Sequence, residues 1–369
     1  MTARAPATWG GPGGPRAAVY ALTAPGADLA GRIAAALSAD LFLPRRLAHG
    51  RGAKGLFDRL GPFWAGKFHG YQGHVLVAAT GLVVRLVAPL VGDKANDPAV
   101  VSLGQDGRHV ISLLSGHLGR ANDLARAVAA ATGGQAVINT ATDIEGVPAL
   151  EALAADLGLR CPDLGPLPAI SRRLCEGLRV TVHDPHGFLA PSLAGWPGLF
   201  EFAARPTGEA GPSVVADYLA YPVPAGTLVL RPPALAAGLG CHRDCPPGEL
   251  EDLLTASLGQ AGLDPLSVAV LATLDSRGQA GLAPALLAGK WGLPLLTYAP
   301  AELSSVEAPT PSETVLRRIG AASVCEASAR LAARMGPLLV NKRKGARATC
   351  AVALIDCPSS AWAPPDRTA

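Results

Sequence analysis

Apolar residues in this chain gather into short runs separated by amphipathic stretches, the alternating rhythm of βα units. Ala17 to Leu22 reads as a first strand, Ala27 to Leu37 as an amphipathic helix, and Leu41-Phe42-Leu43 as a second strand ended by Pro44. A third strand, His74 to Ala79, runs through Thr80-Gly81 into an apolar helix, Leu82 to Leu90. Ala99 to Leu103 is a strand whose hairpin, through Gln105-Asp106-Gly107, returns along Val110 to Leu114. A helix over Ala121 to Ala131, a strand over Gln135 to Asn139 and a helix over Pro148 to Leu157 complete this half.

Between 158 and 226 the pattern weakens and prolines multiply, with one clear helix and strand in Ala169 to Val182. Regular units resume with a strand at Leu228-Val229-Leu230. Gly238-Leu239-Gly240-Cys241-His242-Arg243 reads as a glycine-rich turn into a helix over Gly248 to Ala261. Strands at Val268 to Thr273 and Leu295 to Tyr298, helices near Leu282 to Gly289 and Ser312 to Ile319, and a basic hairpin from Leu338 to Val352 follow. The expected fold is α/β: two α/β domains with mostly parallel sheets joined by a less regular Pro-rich middle segment. The expected boundaries are a disordered leader at 1–16, an N-terminal domain at 17–157, the middle segment at 158–226, a C-terminal domain at 227–356 and a disordered tail at 357–369.

Composition narrows the functional classes. With 49% apolar and 17% charged residues and a net charge of +3, the chain is globular and lacks the basic field and aromatic ladder of a nucleic-acid binder. It has no apolar run of membrane-spanning length and no secretion signal, so the expectation is a cytoplasmic protein with no nucleic-acid or membrane partner. Seven scattered cysteines do not make a disulfide framework. Cys241 and Cys245 bracket His242, but their spacing is not that of a zinc knuckle, and no resident metal is expected.

Candidate chemistry lies at strand ends. Thr80-Gly81, Ser115-Gly116-His117 and Thr140 with Thr142 and Asp143 each follow a buried run, and in an open parallel sheet such ends border the ligand crevice. The loop Asp93-Lys94-Ala95-Asn96-Asp97-Pro98 adds charge beside them. Capping explains some of these residues equally well, Thr142, Asp143 and Ser312 among them, and Ser323 with Glu326 has the spacing of a capping box. The basic and aromatic stretch from Arg45 to Gly73 reads as a solvated helix and loop.

Ala79 to Arg85, Asp93-Lys94 with Asp97 to Val101, Ile111 to His117 with Ala121-Asn122, and Thr140 to Asp143 together resemble the cobalt-precorrin-5A hydrolase family, the cobalamin biosynthesis protein CbiG. Pro311-Ser312-Glu313, Ser323 to Ala327 and Lys342 resemble that family's carboxyl-terminal pattern. Three positions depart from it: Arg120 stands where a glycine is expected, and Arg277 and Ala280 where a lysine and an acid are expected.

The resemblance implies a hydrolase of anaerobic vitamin B12 synthesis. Water opens the δ-lactone on ring A of cobalt-precorrin-5A, and a two-carbon fragment leaves as acetaldehyde to give cobalt-precorrin-5B. The cobalt is carried by the substrate, so no cofactor is expected. The implied partners are the cobalt-corrinoid substrate and, transiently, neighbouring pathway enzymes. Ester opening needs an activated water, an oxyanion stabiliser and a proton donor for the alkoxide. His117 suits the acid or base role, with Asp93 or Asp97 orienting it or activating water. The amides around Gly116, with Ser115 and Thr80, are expected to face the oxyanion, and Arg85, Lys94 and the basic C-terminal turn that carries Lys342, Arg343, Lys344 and Arg347 the carboxylates, with Gly81 in the binding set. Asn122, Thr140, Thr142, Asp143, Ser312 and Glu326 complete the expected binding set. Two alternatives stand beside this reading: covalent attack by Ser115, whose surroundings lack the GxSxG elbow, and a non-catalytic tetrapyrrole carrier.

Overall fold

The computed structural model describes residues 9–11, 14–92, 96–206, 211–275 and 282–356. The chain forms two compact units, one of Met1–Asp156 with Ser171–Leu178, the other of Leu157–Ile170 with Arg179–Ala369.

The first unit is built on a seven-stranded sheet of β1 (Ala17–Ala21), β2 (Asp40–Pro44), β3 (Gly55–Phe57), β4 (Gly73–Val77), β5 (Ala99–Leu103), β6 (His109–Leu114) and β7 (Gln135–Val137), in the order β3-β2-β1-β4-β5-β6-β7. Side chains alternate between its faces, as the period of two demands. Val19, Val75 and Val101 meet the helices Ala24–Ala36 and Ala121–Thr132 on one face. Tyr20, Leu76 and Val100 meet Trp64 and Phe68 on the other. The aromatic part of the stretch expected to be solvated is therefore a second core, with buried His74 at its centre. Trp64 donates its indole N–H to His74 Nδ1 at 3.0 Å, and His74 Nε2 donates to the Phe68 carbonyl at 2.9 Å. Burial pushes the His74 pKa down to about 4, so the ring is neutral.

Direction matters more than order here. β5 and β6 pair antiparallel, whereas every other neighbouring pair in this sheet is parallel. Strands β1 to β5 consequently run one way and β6 and β7 the other. Within the stretch expected to be a leader, Trp9 is only 7% exposed and packs into the first core.

The second unit holds two sheets. The middle segment is more regular than its sequence suggests: β8 (Val180–His183), β9 (Phe200–Phe202), β10 (Ser213–Ala216) and β11 (Thr227–Leu230) form a parallel sheet in the order β11-β10-β8-β9. The strand Thr227–Leu230, assigned from sequence to the following domain, is the edge of this sheet. The other sheet takes β12 (Leu235–Cys241), β13 (Val268–Leu274), β14 (Leu295–Tyr298), β15 (Leu338–Lys344) and β16 (Ala348–Leu354) in the order β14-β13-β12-β16-β15. Its central strand, β12, contains the glycines read as a turn. A Cβ on Gly238 would lie 1.9 Å from the Cys325 carbonyl oxygen, so glycine lets the helix Val324–Ala332 pack directly on the strand. Among the described residues, no helix is long and apolar enough to cross a membrane.

Candidate active site

The β6 carboxyl end supplies the site's scaffold. Ser115 takes a left-handed backbone conformation at φ 58°, and the chain turns so that Ala121 and Asn122 donate their amides to the carbonyls of Ser115 and Gly116 at 3.0 and 3.1 Å. A Cβ at Gly116 would stand 3.0 Å from Asn122 Oδ1, so the turn is tight against the helix it precedes. This turn carries His117. β7, parallel to β6, ends at the same edge of the sheet and leads to Thr140, Thr142 and Asp143.

His117 is gripped at both ring nitrogens. Nδ1 lies 3.0 Å from Glu151 Oε1, while Nε2 lies 3.1 Å from Asp143 Oδ2 and from Thr142 Oγ1. With a carboxylate facing each nitrogen, the ring satisfies both contacts best as a doubly protonated imidazolium. Its pKa is raised, chiefly by the Glu151 hydrogen bond, which burial opposes and Asp143 reinforces. The side chain keeps 16% of its surface exposed while that of Glu151 keeps 4%, so the ring is accessible and its orienting acid is not.

Asp143 is itself tied down. Its Oδ2 accepts from the Asn122 amide at 2.8 Å and from the Thr140 hydroxyl, and its Oδ1 accepts from Arg126. Asn122 is oriented in turn by Ser112, whose hydroxyl donates to Asn122 Oδ1 at 2.7 Å. Burial works against the Asp143 charge, but the hydrogen bonds from Thr140, Arg126 and His117 outweigh it and hold the carboxyl below its usual range. The arrangement is a fixed, charged proton donor backed by two acids, with the geometry locked by neighbouring hydrogen bonds.

Several expected residues stand elsewhere. Thr80, Gly81 and Arg85 follow β4, which runs opposite to β6, so they sit at the other edge of the sheet; Thr80 Oγ1 lies 3.2 Å from Ser102 Oγ near the end of β5. They do not join His117, because the hairpin after β5 reverses the direction on which the shared crevice depended. Asp93 and Lys94 lie outside the described residues, as do Arg277 and Ala280. Asp97 is 5% exposed and both its carboxylate oxygens accept from the Gly92 amide at 3.2 Å, so it braces its loop rather than orienting His117. The Ser115 hydroxyl is buried without a hydrogen-bond partner among the described residues, and His117 Nε2 is engaged by Thr142 and Asp143 instead.

In the second unit Ser312 and Lys342 line a cavity. Glu326 is a structural brace, not a binding group: fully buried, it accepts from the Thr310 hydroxyl and amide at 2.8 and 3.1 Å and from the Lys342 amide at 3.0 Å. Half of the expected capping box is present, since Ser323 Oγ accepts from the Glu326 amide at 3.4 Å. Sequence reasoning missed Glu151 and Arg126. Both are charges on helices, where such residues ordinarily face water, and no local signal marks them.

The family models described as Cobalamin synthesis G N-terminal and Cobalamin synthesis G C-terminus match residues 63–143 and 235–353. The chain is 33% identical over 330 residues to a cobalt-precorrin-5A hydrolase of Salmonella typhimurium (strain LT2), covering 83% of this chain and 89% of that protein. It is 30% identical over 300 residues to a protein of the same name from Priestia megaterium, covering 78% and 80%. A solved cobalamin biosynthesis protein G homolog from Sulfolobus solfataricus is 18% identical, with a TM-score of 0.39 over 95% of this chain and 99% of that one.

Proposed function

Because the chain belongs to the cobalt-precorrin-5A hydrolase family, we propose that it hydrolyses cobalt-precorrin-5A, with His117 as the group that moves protons. The observation that carries the assignment is the match to hydrolases of that name along most of both chains. What the site adds is a chemical role for each residue.

In this reading water attacks the lactone carbonyl of ring A, its oxygen bonding to the acyl carbon as the acyl–oxygen bond to the ring alkoxide breaks and its two protons passing to bulk solvent. The imidazolium of His117 supplies the proton that alkoxide takes up, and Glu151 and Asp143 stabilise the charge before transfer. The product is a carboxylate and a free hydroxyl. The ring, now neutral, withdraws the proton from that same hydroxyl; the carbon–carbon bond breaks, its electron pair passes to the macrocycle, and acetaldehyde leaves. One histidine thus serves first as acid and then as base. The cobalt enters and leaves with the substrate, and the mechanism calls on no resident cofactor. A buried, unpartnered Ser115 hydroxyl favours water over covalent attack.

His117→Ala is expected to abolish acetaldehyde release from cobalt-precorrin-5A under anaerobic conditions while tetrapyrrole binding persists. Full release by that variant overturns the role given to His117. Stoichiometric retention of unchanged substrate by the wild-type protein would instead mark a carrier.

A further inference from the structure

We infer that the cavity of the second unit is a second substrate-recognition site, one that takes the carboxylate-bearing edge of a tetrapyrrole; this rests on the hydrolase reading for the identity of the ligand. The cavity encloses about 590 Å³, inside the roughly 300–1,000 Å³ typical of small-molecule sites. Its lining combines two kinds of side chain. Val315, Ile319, Val324 and Ala348 give apolar area, and Gly240 lies among them without a side chain. The lining also holds Arg243, Arg318, Lys342, Lys344 and Arg347, against a single carboxylate among the described residues, Asp244.

The positive charge is only partly spent inside the protein. Arg347 is committed to Glu249 at 3.2 Å and Asp244 at 3.8 Å. The Lys342 ammonium lies 3.4 Å from the Thr310 carbonyl. No ion pair among the described residues engages Arg318 or Lys344, and both are exposed. The frame beneath them is rigid: the buried Glu326 ties the Lys342 backbone to Thr310, fixing β15 against the segment that precedes Ser312.

A cavity lined by both apolar side chains and exposed cations is complementary to a flat apolar ring that carries carboxylates. A compact phosphate would instead call for a tight nest of backbone amides. The expectation from sequence that Ser312, Lys342 and the basic turn carrying Lys344 touch substrate thereby acquires a setting, and Arg318 joins them.

The test uses the full chain and uroporphyrin I, a metal-free porphyrin with eight carboxylates, titrated by absorbance at low and high salt. Arg318→Glu with Lys344→Glu, both at exposed positions, should weaken binding about ten- to thirtyfold at low salt, the combined effect of turning two exposed attractions into repulsions. The difference should shrink as salt rises, and uroporphyrin octamethyl ester should not distinguish the two proteins. Equal affinity of wild type and double variant, or binding by neither, overturns the inference, as does displacement by inorganic phosphate at equal concentration. Acetaldehyde release separates this inference from the hydrolase reading. A double variant whose KM for cobalt-precorrin-5A rises more than its kcat falls supports the site. Wild-type protein that binds the porphyrin through these residues yet releases no acetaldehyde leaves the site standing and removes the hydrolase reading. Release with porphyrin affinity and KM unchanged by the double variant does the reverse.

Discussion

Replacing Glu151 by glutamine keeps the shape of the site and removes one charge from behind His117. Glu151 is almost wholly buried and lies 3.0 Å from Nδ1, so the contact is a charge-assisted hydrogen bond shielded from water. Removing one partner of a fully buried ion pair costs about 3–5 kcal/mol when the other charge is left alone. Here Asp143 still faces Nε2 at 3.1 Å, so the imidazolium stays compensated on one side. The loss should therefore be nearer the worth of one charged hydrogen bond, about 1.5–3 kcal/mol. For a unit of this size that lowers the melting temperature by roughly 3–12 °C.

The sign of its pH dependence follows from the raised pKa of His117. A histidine whose native pKa lies above its unfolded value of 6.5 contributes stability in full below that value, and the contribution is lost as pH rises through the native pKa. The gap between wild type and Glu151→Gln should be widest at about pH 5–6.5, where the unfolded ring is protonated and carboxylates remain ionised, and should narrow above it. Chemical denaturation of both proteins at a series of pH values measures this, and the His117 ring titration followed by NMR should move to lower pH in the variant. A gap that stays constant from pH 5 to 9 would mean that Glu151 acts by packing, and the electrostatic account of the site would have to be abandoned.

His74 should show the opposite dependence. Its native pKa is depressed from 6.5 to about 4, so stability is complete above pH 6.5 and falls as pH drops towards 4; the loss is about 3 kcal/mol, visible as a lower denaturation midpoint that His74→Phe should not share. Arg120 occupies the left-handed region at φ 63°, which costs a non-glycine residue about 1–2 kcal/mol. Arg120→Gly should recover that cost but lose ion pairs to Asp123 and Asp156 at 3.3 and 3.2 Å, leaving stability within about 1 kcal/mol of wild type by denaturant titration. Gly238→Ala should be severe, at least about 3 kcal/mol or no folded protein by circular dichroism, because backbone blocks its Cβ.

What the sequence disclosed depended on whether a residue's meaning was local. β5 and β6 announce themselves because each is an apolar run with a polar hairpin between, and Asp143 stood out as an acid at a strand end. The placement of Thr80 failed for a reason also written in the chain. A hairpin between two strands inverts the second, and the polar ends on either side of it part company. β12 was hidden because Gly238 answers to a helix some ninety positions later, a demand that local turn chemistry imitates. Glu151 was hidden for a similar reason: nothing local distinguishes it from Asp156, the other acid of its short helix. The departure at Arg120 became intelligible only with its backbone angle, since glycine is the residue that adopts this conformation freely.

Trp9 bears on where this protein can be cut. Its indole N–H donates to the Arg120 carbonyl at 3.3 Å, and its ring packs over Gly73, where even one added carbon would lie 2.5 Å from it. A chain trimmed to its first strand at Ala17 would thus lose a plug from the interior and a tether on the turn that presents His117. Limited proteolysis ahead of β1 would then read out the integrity of the His117 turn, and an affinity handle placed there would press on a segment more than a hundred residues downstream.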